Sequence, residues 1–145
     1  MSSPSQPSER MAVMATIDPA NLNNSTATSD AVDMSKFDEA IFILIAGAID
    51  NTVDFKLEQS DASGFGSGVS DVTGKAITQE TGGDDDNKQW VINLKAEEMT
   101  KRYVRASVTV GNGTTNIAGL VGLGLRPRYA PASNHDLASV SQIIT

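Results

Sequence analysis

The sequence predicts an all-β protein: an antiparallel, jelly-roll-like β-sandwich with an extended N-terminal arm and a C-terminal tail. Three observations predict it. Apolar and polar residues alternate with period two through Thr52–Ser60 and Arg102–Val110, the mark of strands with one buried and one wet face. Turn-forming residues recur at roughly ten-residue spacing, as in sandwiches and barrels. No segment sustains a helical period, so six to nine strands are expected with no helix layer to cover them. At 145 residues the chain fits one domain. We expect a disordered arm at 1–9, a sandwich over 10–131 and an extended tail at 132–145.

The elements follow in order. Residues 1–9 are rich in Ser and Pro and read as mobile. Met11–Ile17 is mostly apolar and ends at Asp18-Pro19, which predicts a first strand near a sheet edge. Asn21–Asp30 is polar and reads as a loop, and Ala31–Met34 as a short strand. Ala40–Ile49 is a continuous apolar run, predicting a strand buried on both faces. Asp50-Asn51 then predicts a tight turn into Thr52–Ser60, the pair forming a hairpin with Val53, Phe55 and Leu57 inward.

Asp61–Gly68 is a Ser/Gly loop, and Val69–Ile77 reads as strand pieces broken at Gly74. Gly82–Asn87 is a second loop. Trp90, Ile92 and Leu94 share one face of the next strand, and Ala96–Thr100 forms a helical turn. Val104, Ala106, Val108 and Val110 share the inner face of Arg102–Val110. Gly111-Asn112-Gly113 predicts a type I′ hairpin into Asn116–Leu125, whose Gly119, Gly122 and Gly124 suggest a bulge or close backbone approach. Two prolines, Pro127 and Pro131, precede a tail ending in Leu137, Val140, Ile143 and Ile144, which suggests pairing with a neighbour by strand addition.

Composition excludes several function classes. There is no cysteine, which removes disulfides, thiolate metal sites and cysteine nucleophiles. A single histidine, His135, excludes multi-histidine zinc sites within one chain. A net charge of −7 and 5% aromatic residues argue against a nucleic-acid partner. The longest apolar run is about half of the roughly 20 residues a membrane helix needs, and the first residues lack a basic start and apolar core, so we expect a soluble protein with no membrane partner.

Each candidate chemistry has a plain alternative. Asp84-Asp85-Asp86 suits a hard cation, but its spacing is not that of an EF-hand and a solvated acidic loop explains it. Gly64-Phe65-Gly66-Ser67-Gly68 lacks the Lys-Ser/Thr of a phosphate loop, while Phe65 either anchors a contact or folds back on the core. His135 beside Asp136 looks like half a triad, but neighbours on an extended chain point apart. Glu97-Glu98 lacks the aromatic cleft of a glycosidase; Trp90 reads as core and Tyr103 as half-buried. Lys101, Arg102, Arg105, Arg126 and Arg128 read first as cross-strand partners of acids, and otherwise as a patch for an acidic protein. We therefore expect no catalytic residue, no cofactor and no metal.

One stretch carries a resemblance. Lys101-Arg102-Tyr103-Val104-Arg105 leads into Ser107-Val108-Thr109-Val110-Gly111, a Gly/Asn/Thr turn, an Ala/Gly-rich strand and Leu123-Gly124-Leu125-Arg126-Pro127-Arg128-Tyr129. With Glu58-Gln59-Ser60-Asp61, Val69-Ser70-Asp71-Val72 and the Ala40–Ile49 strand, this resembles small structural proteins of tailed bacteriophages over residues 30–131. The resemblance implies a capsid decoration, or cement, protein on the exterior of the virion, made in the host cytoplasm. Its implied partner is the major capsid protein, with a homo-oligomer, a trimer, as the working form. Expected intersubunit or capsid contacts are Met11, Val13, Met14, Phe65, Leu137, Val140, Ile143 and Ile144. The alternatives are a head–tail joining or tail-associated structural protein, and then a glycan-binding adhesion sandwich.

Overall fold

The computed structural model describes residues 5–82, 85–129, 132, 135–136 and 138–144. A short helix, α1 (Pro7–Arg10), is followed by β1 (Met11–Ile17), β2 (Ala20–Leu22), β3 (Ser25–Thr28), β4 (Val32–Asp33), β5 (Phe37–Ala46) and β6 (Thr52–Ser60). Then come β7 (Ser70–Ala76), β8 (Glu80–Thr81), β9 (Gln89–Lys95), a 3-10 turn at Ala96–Glu98, β10 (Tyr103–Val110) and β11 (Thr115–Pro127). The expected all-β class is what forms: two antiparallel sheets packed face to face. Sheet A runs β1-β11-β5-β9, with β2 also on β11; sheet B runs β3-β10-β6-β7, with β4 on β10 and β8 on β6.

The alternating strands bury the faces their patterns predict. Val53, Phe55 and Leu57 of β6 and Val104, Ala106, Val108 and Val110 of β10 are all at most 1% exposed. Sheet A meets them with Phe42, Leu44, Ile92, Leu94 and Ile117, giving one continuous core. Gly122 and Gly124 on β11 allow the close approach their sequence suggests. A Cβ at either would sit 2.7 Å from the ring of Phe42 or Phe37. The expected bulge lies between Ile117 and Gly119, where the β11–β5 register shifts. Gln59 is buried in β6, and its Oε1 accepts the Thr100 and Lys101 amides at 2.9 and 3.1 Å, fixing the corner before β10.

Four sequence expectations are corrected. β5 and β6 do not form a hairpin: β5 lies between β11 and β9, and β6 between β10 and β7. β5 stops at Ala46, and residues 47–51 cross the roughly 10 Å between sheets, burying Ile49 on the way. Gly111-Asn112-Gly113 is likewise a crossing, since β10 and β11 belong to opposite sheets. Gly113, at φ 108°, takes a positive φ, and Asn112 does not, so the turn is not type I′. The two crossings stack: Gly111 donates to the Thr52 carbonyl at 2.9 Å and Thr114 to Asp50 Oδ2 at 3.1 Å. β7 is one strand rather than pieces; Gly74, at φ 76°, sits where its register against β6 shifts. Finally, β5 is not buried on both faces. Phe37, Ala40, Phe42, Leu44 and Ala46 point inward, Ile41 and Ile43 are half-buried, and Ile45 is 40% exposed. The strand count also exceeds expectation, because the polar stretch read as a loop forms β2 and β3.

Candidate interaction surface

Residues beyond β11 return along β1. Ala132 is buried against Ala12 and Phe37, and its amide donates to the Glu9 carbonyl at 2.7 Å. Further on, Val13 is bound on both sides of its peptide unit. Its N–H donates to His135 Nδ1 at 3.1 Å, and its carbonyl accepts the Asp136 N–H at 2.7 Å. His135 Nε2 lies 2.9 Å from the Ser8 carbonyl. Nδ1 therefore carries the lone pair and Nε2 the proton, the neutral tautomer. The Ser139 and Thr16 hydroxyls meet at 3.2 Å. The segment thus runs along the free edge of β1 in the same direction as the strand. An open edge is a template for another chain's strand; here residues 135–139 occupy it. His135 is a structural clip between α1, β1 and this segment, not part of a triad.

The expected contact residues fall into three groups. Met11 and Val13 are half-buried at the first strand of sheet A. Met14 sits at the β1 bulge and packs against the core, and Phe65 is 8% exposed, so neither offers a free side chain. Phe65 folds back beneath Arg105, whose guanidinium carbon lies 4.4 Å from the ring centre. Val140 is half-buried; Ile143 and Ile144 are 44% and 86% exposed. Leu137 lies outside the described residues.

The surface that sequence reasoning missed is the outer face of sheet A. Register across the strands aligns Val13, Leu123, Ile41 and Asn93 in one row, and Thr16, Val121, Ile43 and Val91 in the next. Ile45 follows on β5, and Val91 is 52% exposed. Two adjacent rows therefore carry no charged residue. The outer face of sheet B is the opposite. There Lys56 pairs with Asp71 at 2.8 Å, and Arg105 with Glu58 at 2.9 Å, among threonines and serines. The signal was available in the sequence. A strand apolar on both sides, in a chain with no helix layer, must leave one side uncovered.

The basic residues are paired as the cross-strand reading expects. Arg102 meets Asp33 through two hydrogen bonds of 3.0 and 2.9 Å, Arg126 meets Glu39 at 3.4 Å and Arg128 meets Asp38 at 3.1 Å. Lys101 donates to the Gly68 carbonyl. The Arg102 hydrogen bonds are the largest cause holding the Asp33 carboxyl down at about 2. A shallow cleft of about 490 Å³ at the charged end of sheet A is lined by these same ion-paired groups, with Lys95 and Glu97. Trp90 is half-buried, and its Nε1 donates to Glu80 at 3.1 Å. Among the described residues no three acidic or histidine side chains gather as a metal site. Asp86 accepts the Ile49 amide at 2.7 Å, and Asp84 lies outside the described residues. No described helix is long and apolar enough to cross a membrane.

No protein-family model matches the chain, and no curated protein matches its sequence.

Proposed function

We propose that this chain is a non-enzymatic virion structural protein that binds the outside of the expanded bacteriophage capsid and stabilises contacts between major capsid subunits. The observation that carries this reading is the strand-and-turn pattern of Lys101–Tyr129, which resembles phage decoration proteins. That stretch forms β10 and β11, each paired on both sides within its sheet, so the resemblance falls on the scaffold of the fold. Two further features suit a clamp. The segment after β11 ends in exposed Ile143 and Ile144, and the rest of it is anchored on β1, so the exposed pair is presented from a fixed point. Many modest contacts made together gain avidity. Binding only the expanded shell stabilises that state by mass action. The trimer that the resemblance implies belongs to this proposal.

The test is co-sedimentation of the purified protein with expanded capsids that lack it, counting bound copies. The proposal expects saturation at many sites distributed over the shell, absent from unexpanded shells. Binding of a few copies at one vertex points instead to a head–tail joining protein. No binding overturns both and leaves the adhesion reading.

A further inference from the structure

We propose that the outer face of sheet A is the contact surface between two copies of this chain, packed sheet against sheet. The inference does not rest on the capsid reading. It begins from the contrast between the two outer faces. Sheet B presents Asp54, Lys56, Glu58 and Arg105 to water, whereas sheet A presents Ile41, Ile43, Ile45, Val91, Val121 and Leu123. A contiguous apolar face of this kind on a small domain marks an interaction site.

Charge and size select the occupant. The molecule carries a net charge of −7, so two copies repel at most approaches. The centre of sheet A is a place where they meet without setting carboxylate against carboxylate. Its charged end carries both signs, with Glu39 and Arg126 paired at 3.4 Å and Lys95 beside them. The face spans four strands, which at about 4.8 Å spacing and about 3.3 Å rise makes it roughly 14 by 20 Å. The exposed segment around Ile143 and Ile144 is one extended strip, about one strand spacing wide, and leaves most of that area open. An identical flat sheet matches all of it, and sheets stack at about 10 Å in ordinary sandwiches. The contact is isologous, so it makes a two-fold pair. Its modest area places it among reversible associations rather than permanent dimers.

Sedimentation equilibrium of the full chain over a concentration series tests this, at low and high salt. The expected result is a monomer–dimer equilibrium, with dimer dominant by on the order of 100 μM. Added salt should tighten it, by screening the repulsion and strengthening apolar burial. Val91→Glu and Ile45→Glu alter exposed side chains, so both variants should keep the wild-type melting curve while the dissociation constant rises at least about tenfold, a loss of about 1.4 kcal/mol. A wild-type chain that stays monomeric at that concentration overturns the proposal. So does a dimer that both variants leave intact, which would place the contact elsewhere. A dimer lost on deleting residues 141–145, with the face untouched, would assign the contact to that segment instead.

Discussion

Asp33 and Arg102 show how a single residue pair on this surface is set. Asp33 sits at the end of β4, where it also accepts the Ser35 amide and hydroxyl at 3.0 and 2.7 Å. With Arg102 these bonds lower its carboxyl from 3.8 to about 2. A carboxyl lowered in the fold stabilises it at pH values above the unfolded value and loses that contribution as pH falls from about 4 toward 2. Because Arg102 is half exposed, solvent screening trims the effect. Asp33→Asn should cost about 1 kcal/mol at neutral pH and nothing near pH 2, read from urea unfolding at both. His135 is a second residue-scale case. His135→Ala removes the acceptor of the Val13 amide, and hydrogen exchange at that amide should speed up while exchange at Val108 stays slow.

At the scale of the element, β10 and β11 carry most of the architecture. β10 pairs with β3, β4 and β6, and β11 with β1, β2 and β5. Val108 is fully buried between the sheets, so Val108→Asp should prevent folding, because an unpaired buried charge costs several kcal/mol. A soluble variant with native circular dichroism would contradict the register. β11 is limited by its glycines. Gly124→Val should destabilise by about 1–3 kcal/mol, since the Phe37 ring already occupies the space a side chain needs. Chemical denaturation of the purified variant measures it. The alternation of β6, β9 and β10 was legible because period two depends only on which residues face the core. The partners of those strands were not. Local turn chemistry at Asp50-Asn51 and Asn112-Gly113 fits a hairpin, yet both segments cross between sheets. Pairing is chosen by long-range contacts rather than by the turn itself.

For the whole molecule, the segment after β11 divides into an anchored part and an exposed part. Deleting residues 132–145 removes the bonds at Val13 and the buried Ala132 while leaving the main core intact. The sandwich should stay folded, with the melting temperature lower by a few degrees and assembly on the capsid weakened. Deleting 141–145 should leave the melting temperature unchanged. Differential scanning calorimetry of the two truncations separates these outcomes.

By itself the sequence determined the all-β class, the inner faces of β6, β9 and β10, the β11 bulge and the pairing of arginines with acids. Each follows from local periodicity or composition. Tertiary structure decided the rest. Phe65 turned inward because Arg105 on a neighbouring strand covers its ring. The His135 segment closed the edge of β1 because Val13, over a hundred residues away in sequence, offers an unpaired peptide unit there. The apolar run of β5 looked buried on both sides. A two-layer sandwich has only one interior, so packing β5 against sheet B left Ile41, Ile43 and Ile45 on the outer face.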